Sequence, residues 1–209
     1  ATATTGNLTD SGTVTVTGTS SFATSAADAD IDLGTLASTG SVALTTIGTT
    51  GAATVVNATD LDLAASTVNG DLVATATTGN LTDSGTVTVT GTSSFATSAA
   101  DADIDLGTLA STGSVALTTI GTTGAATVVN ATDLDLAAST VNGNLIATAT
   151  TGDVTQSGAL IVAGTTDISS IGGDIVLDTA TNSFAGSVTV VLDPSNNFTI
   201  VDVSALQLQ

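Results

Sequence analysis

Residues Ala1 to Val73 recur as Ala74 to Ile146 with two differences, Asp71 against Asn144 and Val73 against Ile146. Whatever the first 73 residues build, the next 73 must build again, and the two products must join. Self-similarity at a fixed period marks arrays in which each unit buries its apolar surface against its neighbour. A third, diverged copy opens at Ala147 with the same Ala-Thr-Ala-Thr-Thr-Gly and stops at Gln209 before the period is complete, which points to a slice of a longer array. The expected organisation is repeat one over 1–73, repeat two over 74–146 and a partial third repeat over 147–209, all in one continuous solenoid.

Within the period, apolar and polar residues alternate. In Gly12-Thr-Val-Thr-Val-Thr-Gly18, Val14 and Val16 share one face while Thr13, Thr15 and Thr17 share the other. Asp30-Ile31-Asp32-Leu33 and Asp60-Leu61-Asp62-Leu63 follow the same rule with carboxylates outward. A period of two belongs to strands, and β-branched Val and Thr favour them. The pattern predicts short strands over 7–9, 13–17, 20–22, 30–33, 41–44, 54–56, 61–63 and 71–73. Gly, Asn, Asp and Ser lie between them, as turns require, and Asp193-Pro194-Ser195-Asn196 falls where the first copy has Gly48-Thr49-Thr50-Gly51.

Short strands inside a long exact period predict an all-β fold, a parallel β-solenoid or β-helix. A string of sandwich domains fits less well, because a short unit with so few large side chains encloses a thin core. Aligning the segments that begin near Gly6, Ala29 and Ala52 gives about three coils per 73-residue repeat, with four shorter coils as the other arrangement. In the third copy Gly164 matches Gly18, Ile175 matches Ile31, Val188 matches Val42, and Leu206 and Leu208 match Leu61 and Leu63. Eight or nine coils at ~4.7 to 4.8 Å would make a rod on the order of 40 Å long.

Composition then removes whole classes of function. The chain contains no Lys, Arg, His, Cys, Met, Trp, Tyr or Glu, and all 19 of its formal charges are Asp, for a net charge of -19. Without His, Cys, Lys or Tyr it lacks the ordinary general bases and nucleophiles, so no enzyme activity is expected. Without cations it has nothing to hold a phosphate, so neither nucleic acid nor an anionic membrane surface is an expected partner. No apolar run approaches the ~18 to 20 residues that would insert in a bilayer. Disorder is disfavoured, because 42% of the residues are hydrophobic and mean hydropathy is +0.50.

Gly6-Asn-Leu-Thr-Asp-Ser-Gly-Thr-Val-Thr-Val-Thr-Gly-Thr-Ser-Ser-Phe22, together with Gly173-Asp-Ile-Val-Leu-Asp-Thr-Ala-Thr-Asn-Ser-Phe-Ala-Gly-Ser-Val188, resembles the repeat regions of giant bacterial filamentous-haemagglutinin-like surface proteins. The resemblance covers essentially the whole chain. It implies a right-handed solenoid shaft on an exported protein at the bacterial cell surface, serving adhesion, aggregation or extracellular filaments. It carries over no binding residue, since such repeats act as shaft and have no single defined site.

Four residue patterns suggest sites. Asp28, Asp30 and Asp32, with their duplicates Asp101, Asp103 and Asp105, resemble the start of an oxygen-rich Ca²⁺ loop. The match stops there, because Gly34 falls one place late and no Glu follows, so a solvated acidic face is the favoured reading, Ca²⁺ is the alternative and no cofactor is required. Outward Thr-x-Thr rows such as Thr13, Thr15 and Thr17 resemble the ice-binding faces of other solenoids, although this one recurs only once per period. Asn7, Asn57, Asn80, Asn130 and Asn197 head Asn-x-Thr acceptor triplets, with buried turn ladders as the alternative role. Phe22, Phe95, Phe184 and Phe198 are expected inside the coils.

The function expected from the residues is therefore structural: a stiff acidic shaft or extracellular filament segment, with flanking repeats or further copies of itself as partners, end to end or laterally. An adhesin segment that binds a ligand directly and a threonine-faced ice binder are the alternatives. With no cation to oppose the charge, salt or divalent cations are expected to stabilise the rod, and acid to act in the same direction.

Overall fold

The computed structural model describes residues 1–209, and its regular structure is entirely β. Twelve strands form one sheet and fourteen a second, and every pairing within each sheet is parallel. The chain winds back and forth between the two sheets. In the first copy Ser20–Ala27 lies in the first sheet, Ile31–Ser38 in the second, Val42–Ile47 in the first and Ala53–Asn57 in the second. Each strand rests on the strand of the same sheet one coil earlier. Leu8 stacks on Ile31, Ile31 on Ala53, Ala53 on Leu72 and Leu72 on Ser93, so coil length varies from 19 to 23 residues. The result is the expected parallel β-solenoid, of about nine turns and about 21 residues per turn, close to the three coils expected for each repeat.

The expected strands form, some longer than the alternation alone suggested: 20–22 extends to Ser20–Ala27 and 30–33 to Ile31–Ser38. One strand per repeat, Ser66–Val68, was not expected. Its inward residue Ser66 is polar, and its hydroxyl donates to the Ala64 carbonyl at 2.8 Å while accepting the Leu44 amide at 3.0 Å. The third-copy register also forms: Val188 pairs with Leu208, as Val42 pairs with Leu63.

Inward residues from both sheets make a single core of 39 buried side chains. It is aliphatic apart from Phe22, Phe95 and Phe184, with Phe198 packed against it. Aliphatics stack on aliphatics from coil to coil, as Leu61 does on Leu81 and Leu81 on Ile104. The corners recur too. Buried Thr24, Thr46, Thr97 and Thr119 each donate a hydroxyl hydrogen bond to the carbonyl five residues on, which closes the turn without leaving the group unpaired. Gly48 and Gly121 follow Ile47 and Ile120 at φ 100, and a Cβ on Gly48 would lie 2.4 Å from the Asp28 carboxylate. Only glycine fits both that backbone and that contact.

The two sheets are equivalent hosts for the same sequence. Ile31–Ser38 lies in the second sheet and its duplicate Ile104–Ser111 in the first, yet the two share one burial pattern, residue for residue. Val42–Ile47 and Val115–Ile120 exchange sheets in the same way. The exchange follows from counting. From Leu8–Thr9 to its duplicate Leu81–Asp83 the chain crosses the core seven times, so one repeat spans three and a half coils.

Candidate functional site

The only ionised side chains are aspartates, so any site must be built from them, from hydroxyls or from amides. Their placement follows from the strand ends. Where a strand turns away, the last amides of the coil above have no strand partner, and an outward Asp beneath them supplies one. The Thr49 and Thr50 amides donate to Asp28 Oδ1 at 2.7 and 2.9 Å, and the Thr122 and Thr123 amides donate to Asp101 Oδ1 at 2.6 and 2.8 Å. Both aspartates hold a left-handed backbone, φ 59 and φ 62, that aims the carboxylate upward. The Ala52 amide donates to Asp30 Oδ1 at 2.9 Å, and Ala125 does the same to Asp103 at 2.8 Å. Asp10 and Asp83 accept from the amides of Gly34 and Thr35 and of Gly107 and Thr108, while Asp60 accepts from Asn80 and Asp71 from Thr92. Each bond joins one coil to the next.

These bonds displace ionisation. Amide bonds from Thr49 and Thr50 hold the Asp28 carboxyl below its usual range; those from Thr122 and Thr123 do so at Asp101, and the Asn197 amide does so at Asp174. Burial pushes Asp83 up, against the amides of Thr108 and Gly107 and with Asp105 adding repulsion.

The geometry separates the residues suggested as a Ca²⁺ loop. Asp28 and Asp30 turn an oxygen to amides of the coil above, while Asp32 stands exposed in its strand between Thr9 and Thr54. Asp101, Asp103 and Asp105 repeat the arrangement, Asp105 standing between Thr82 and Thr127. Asp28 sits in a turn with a left-handed backbone, Asp30 precedes the strand and Asp32 lies within it, so each carboxylate is held separately and the triplet does not close around an ion. No group of three or more acidic side chains gathers anywhere as a candidate metal centre. A ladder that the alternation did not reveal lies in the diverged part: Asp153 donates its amide to Asp133, Asp174 to Asp153, and Asn197 to Asp174, on successive coils.

The acceptor triplets divide into two kinds. Asn57 and Asn130 are fully buried; each accepts the amide of Ser38 or Ser111 at 2.8 Å and donates to that residue's carbonyl at 2.9 Å. They are turn ladders, closed to a glycan. Asn7, Asn80 and Asn197 are exposed, and Asn7 and Asn80 accept the amides of Asp30 and Asp103. Thr45, Thr67 and Thr88 form a row on three successive coils of the first sheet, continued by Ala110 in place of a fourth threonine. A shallow groove of about 230 Å³ lies among Thr13, Thr35, Leu36, Val56, Ala58 and Thr77. Its duplicate, of the same volume, lies among Thr86, Thr108, Leu109, Val129, Ala131 and Thr150.

A family described as repeats of unknown function (DUF5649) matches residues 50–118 and again 123–191. The chain belongs to this family. The two DUF5649 windows begin 73 residues apart, the period seen in the duplication, and each bridges two copies. The first window opens just before Ala53–Asn57 in the second sheet, the second just before Ala126–Asn130 in the first sheet, so successive DUF5649 units also start on opposite sheets. No curated protein and no solved structure matches the chain.

Proposed function

We propose that this segment is a non-catalytic structural shaft, giving reach and rigidity to an extracellular filament or surface protein of the filamentous-haemagglutinin-like kind. The observation that carries the reading is the unbroken core and ladder: aliphatic stacking and coil-to-coil amide bonds pass through both copy boundaries with no hinge between them. A rod of this kind gains stability with each coil, because every coil contacts only its neighbours. The aspartates at the strand ends, Asp28 and Asp30 among them, accept coil-to-coil bonds, and the grooves hold no charged side chain, which favours a shaft over direct ligand capture.

Two measurements test it. Chains carrying additional copies of residues 74–146 should lengthen in electron micrographs by about 17 Å per copy, the rise of three and a half coils; bead-like or bent particles would overturn the rigid rod. Antibodies raised against this segment should decorate filaments or a surface layer on native cells, and purely internal labelling would remove the surface role.

A further inference from the structure

One repeat contains an odd number of core crossings, so equivalent residues in neighbouring repeats face opposite ways. Thr45 is exposed on the first sheet and its duplicate Thr118 is exposed on the second. The two grooves are related likewise: Leu36 and Val56 lie in second-sheet strands, Leu109 and Val129 in first-sheet strands. Since both sheets give the same sequence the same burial, nothing in the fold disfavours either phase.

We propose that repeat number sets facing as well as reach: each 73-residue repeat advances the rod by about 17 Å and turns everything beyond it by half a turn about the axis. One inserted repeat presents a distal element to the opposite side, and two restore it. A partner lying flat along one side of the rod therefore meets the same repeat-encoded surface only at every second repeat, about 34 Å apart, while a second partner can occupy the other side. This rests on the shaft reading, because facing is transmitted only through a rigid rod.

The chain has no cysteine, so introduced thiols report only the chosen positions. In the full chain, nitroxides would be placed at Thr45→Cys with Thr118→Cys, and separately at Thr45→Cys with Ala110→Cys, which share one row of the first sheet. Pulsed dipolar spectroscopy should give narrow distributions for both pairs. The same-row pair should centre near the three-coil rise of about 14 Å; the duplicate pair should centre clearly further out, since about 10 Å between the sheets and the outward reach of two labels on opposite faces combine at right angles with a rise of about 17 Å. A narrow, short distance for the duplicate pair would overturn the half-turn and leave the shaft standing. Broad distributions in both pairs would overturn the shaft, and the half-turn with it. As a second readout, biotin on the same thiols should bind two streptavidin molecules per chain for the duplicate pair and one for the same-row pair; one for both pairs would refute the inference.

Discussion

Aspartate here does the work that strand neighbours cannot: it accepts amides at the places where a strand stops. The two copies supply their own control. Where repeat one has Asp71 accepting the Thr92 amide at 2.7 Å, repeat two has Asn144 accepting the Thr165 amide at 2.9 Å. The oxygen matters more than the charge. Asp71→Asn should therefore shift urea-unfolding free energy by less than about 0.5 kcal/mol, whereas Asp71→Ala should lower it by about 1 kcal/mol, the usual net worth of one such bond. The other difference, Val73 against Ile146, is also outward, 41% exposed in both. The same bonds set the response to acid. Asp28, Asp101 and Asp174 ionise below the ordinary 3.8, so the stability they contribute is present above that value and is lost as pH falls through their folded values. Asp83, held above the ordinary value, acts the other way. At those three residues the sign is opposite to the relief of charge repulsion expected from composition. As pH falls below about 3.8 these three contributions should fade, so the melting temperature of the wild-type chain should lose ground on acidification relative to the paired variant Asp28→Asn with Asp101→Asn, whose curve should be flatter.

At the scale of the strand and its corner, the alternation of Val with Thr and of Ile or Leu with Asp made the strands legible, and stacking of like on like made the solenoid legible. Three things were hidden. Ser66–Val68 follows Ala64-Ala65, which breaks the alternation, and puts a serine inward. The aspartate bonds reach amides some 21 residues along, so no local pattern announces them. Coil length drifts between 19 and 23 residues, so the half-coil phase could not be counted before the register was known. Asn57 shows how a misleading motif resolves: its triplet looks like a surface acceptor, yet it is buried and ties the Ser38 amide and carbonyl to the Asp60 carbonyl. Asn57→Ala would leave these groups unpaired in the interior and should cost about 3 kcal/mol in equilibrium unfolding, with Asn130→Ala matching it. Expression in a glycosylating host should leave both asparagines unmodified by peptide mass spectrometry.

For the whole rod, the charge of -19 is eased where threonine alternates with strand carboxylates, although Asp83 and Asp105 on neighbouring coils still repel. Asp62 and Asp105 share a row of the first sheet with Thr82 between them, two coils or about 9.5 Å apart. That exceeds the Debye length of ~8 Å at physiological ionic strength, so strand repulsion is felt mainly at low salt. Melting temperature should rise from about 10 mM to about 150 mM NaCl and then level off. CaCl₂ at matched ionic strength should add nothing further, given that no three acidic side chains gather; a specific rise with Ca²⁺ would show an ion site that the geometry does not predict. The odd number of crossings also bears on inheritance. Each codon of the period specifies a residue that must serve on both sides of the rod, so gene conversion that keeps the copies alike forbids the two sides from diverging. Such an array cannot evolve one adhesive flank and one inert flank until its copies have drifted apart, as the third has begun to do.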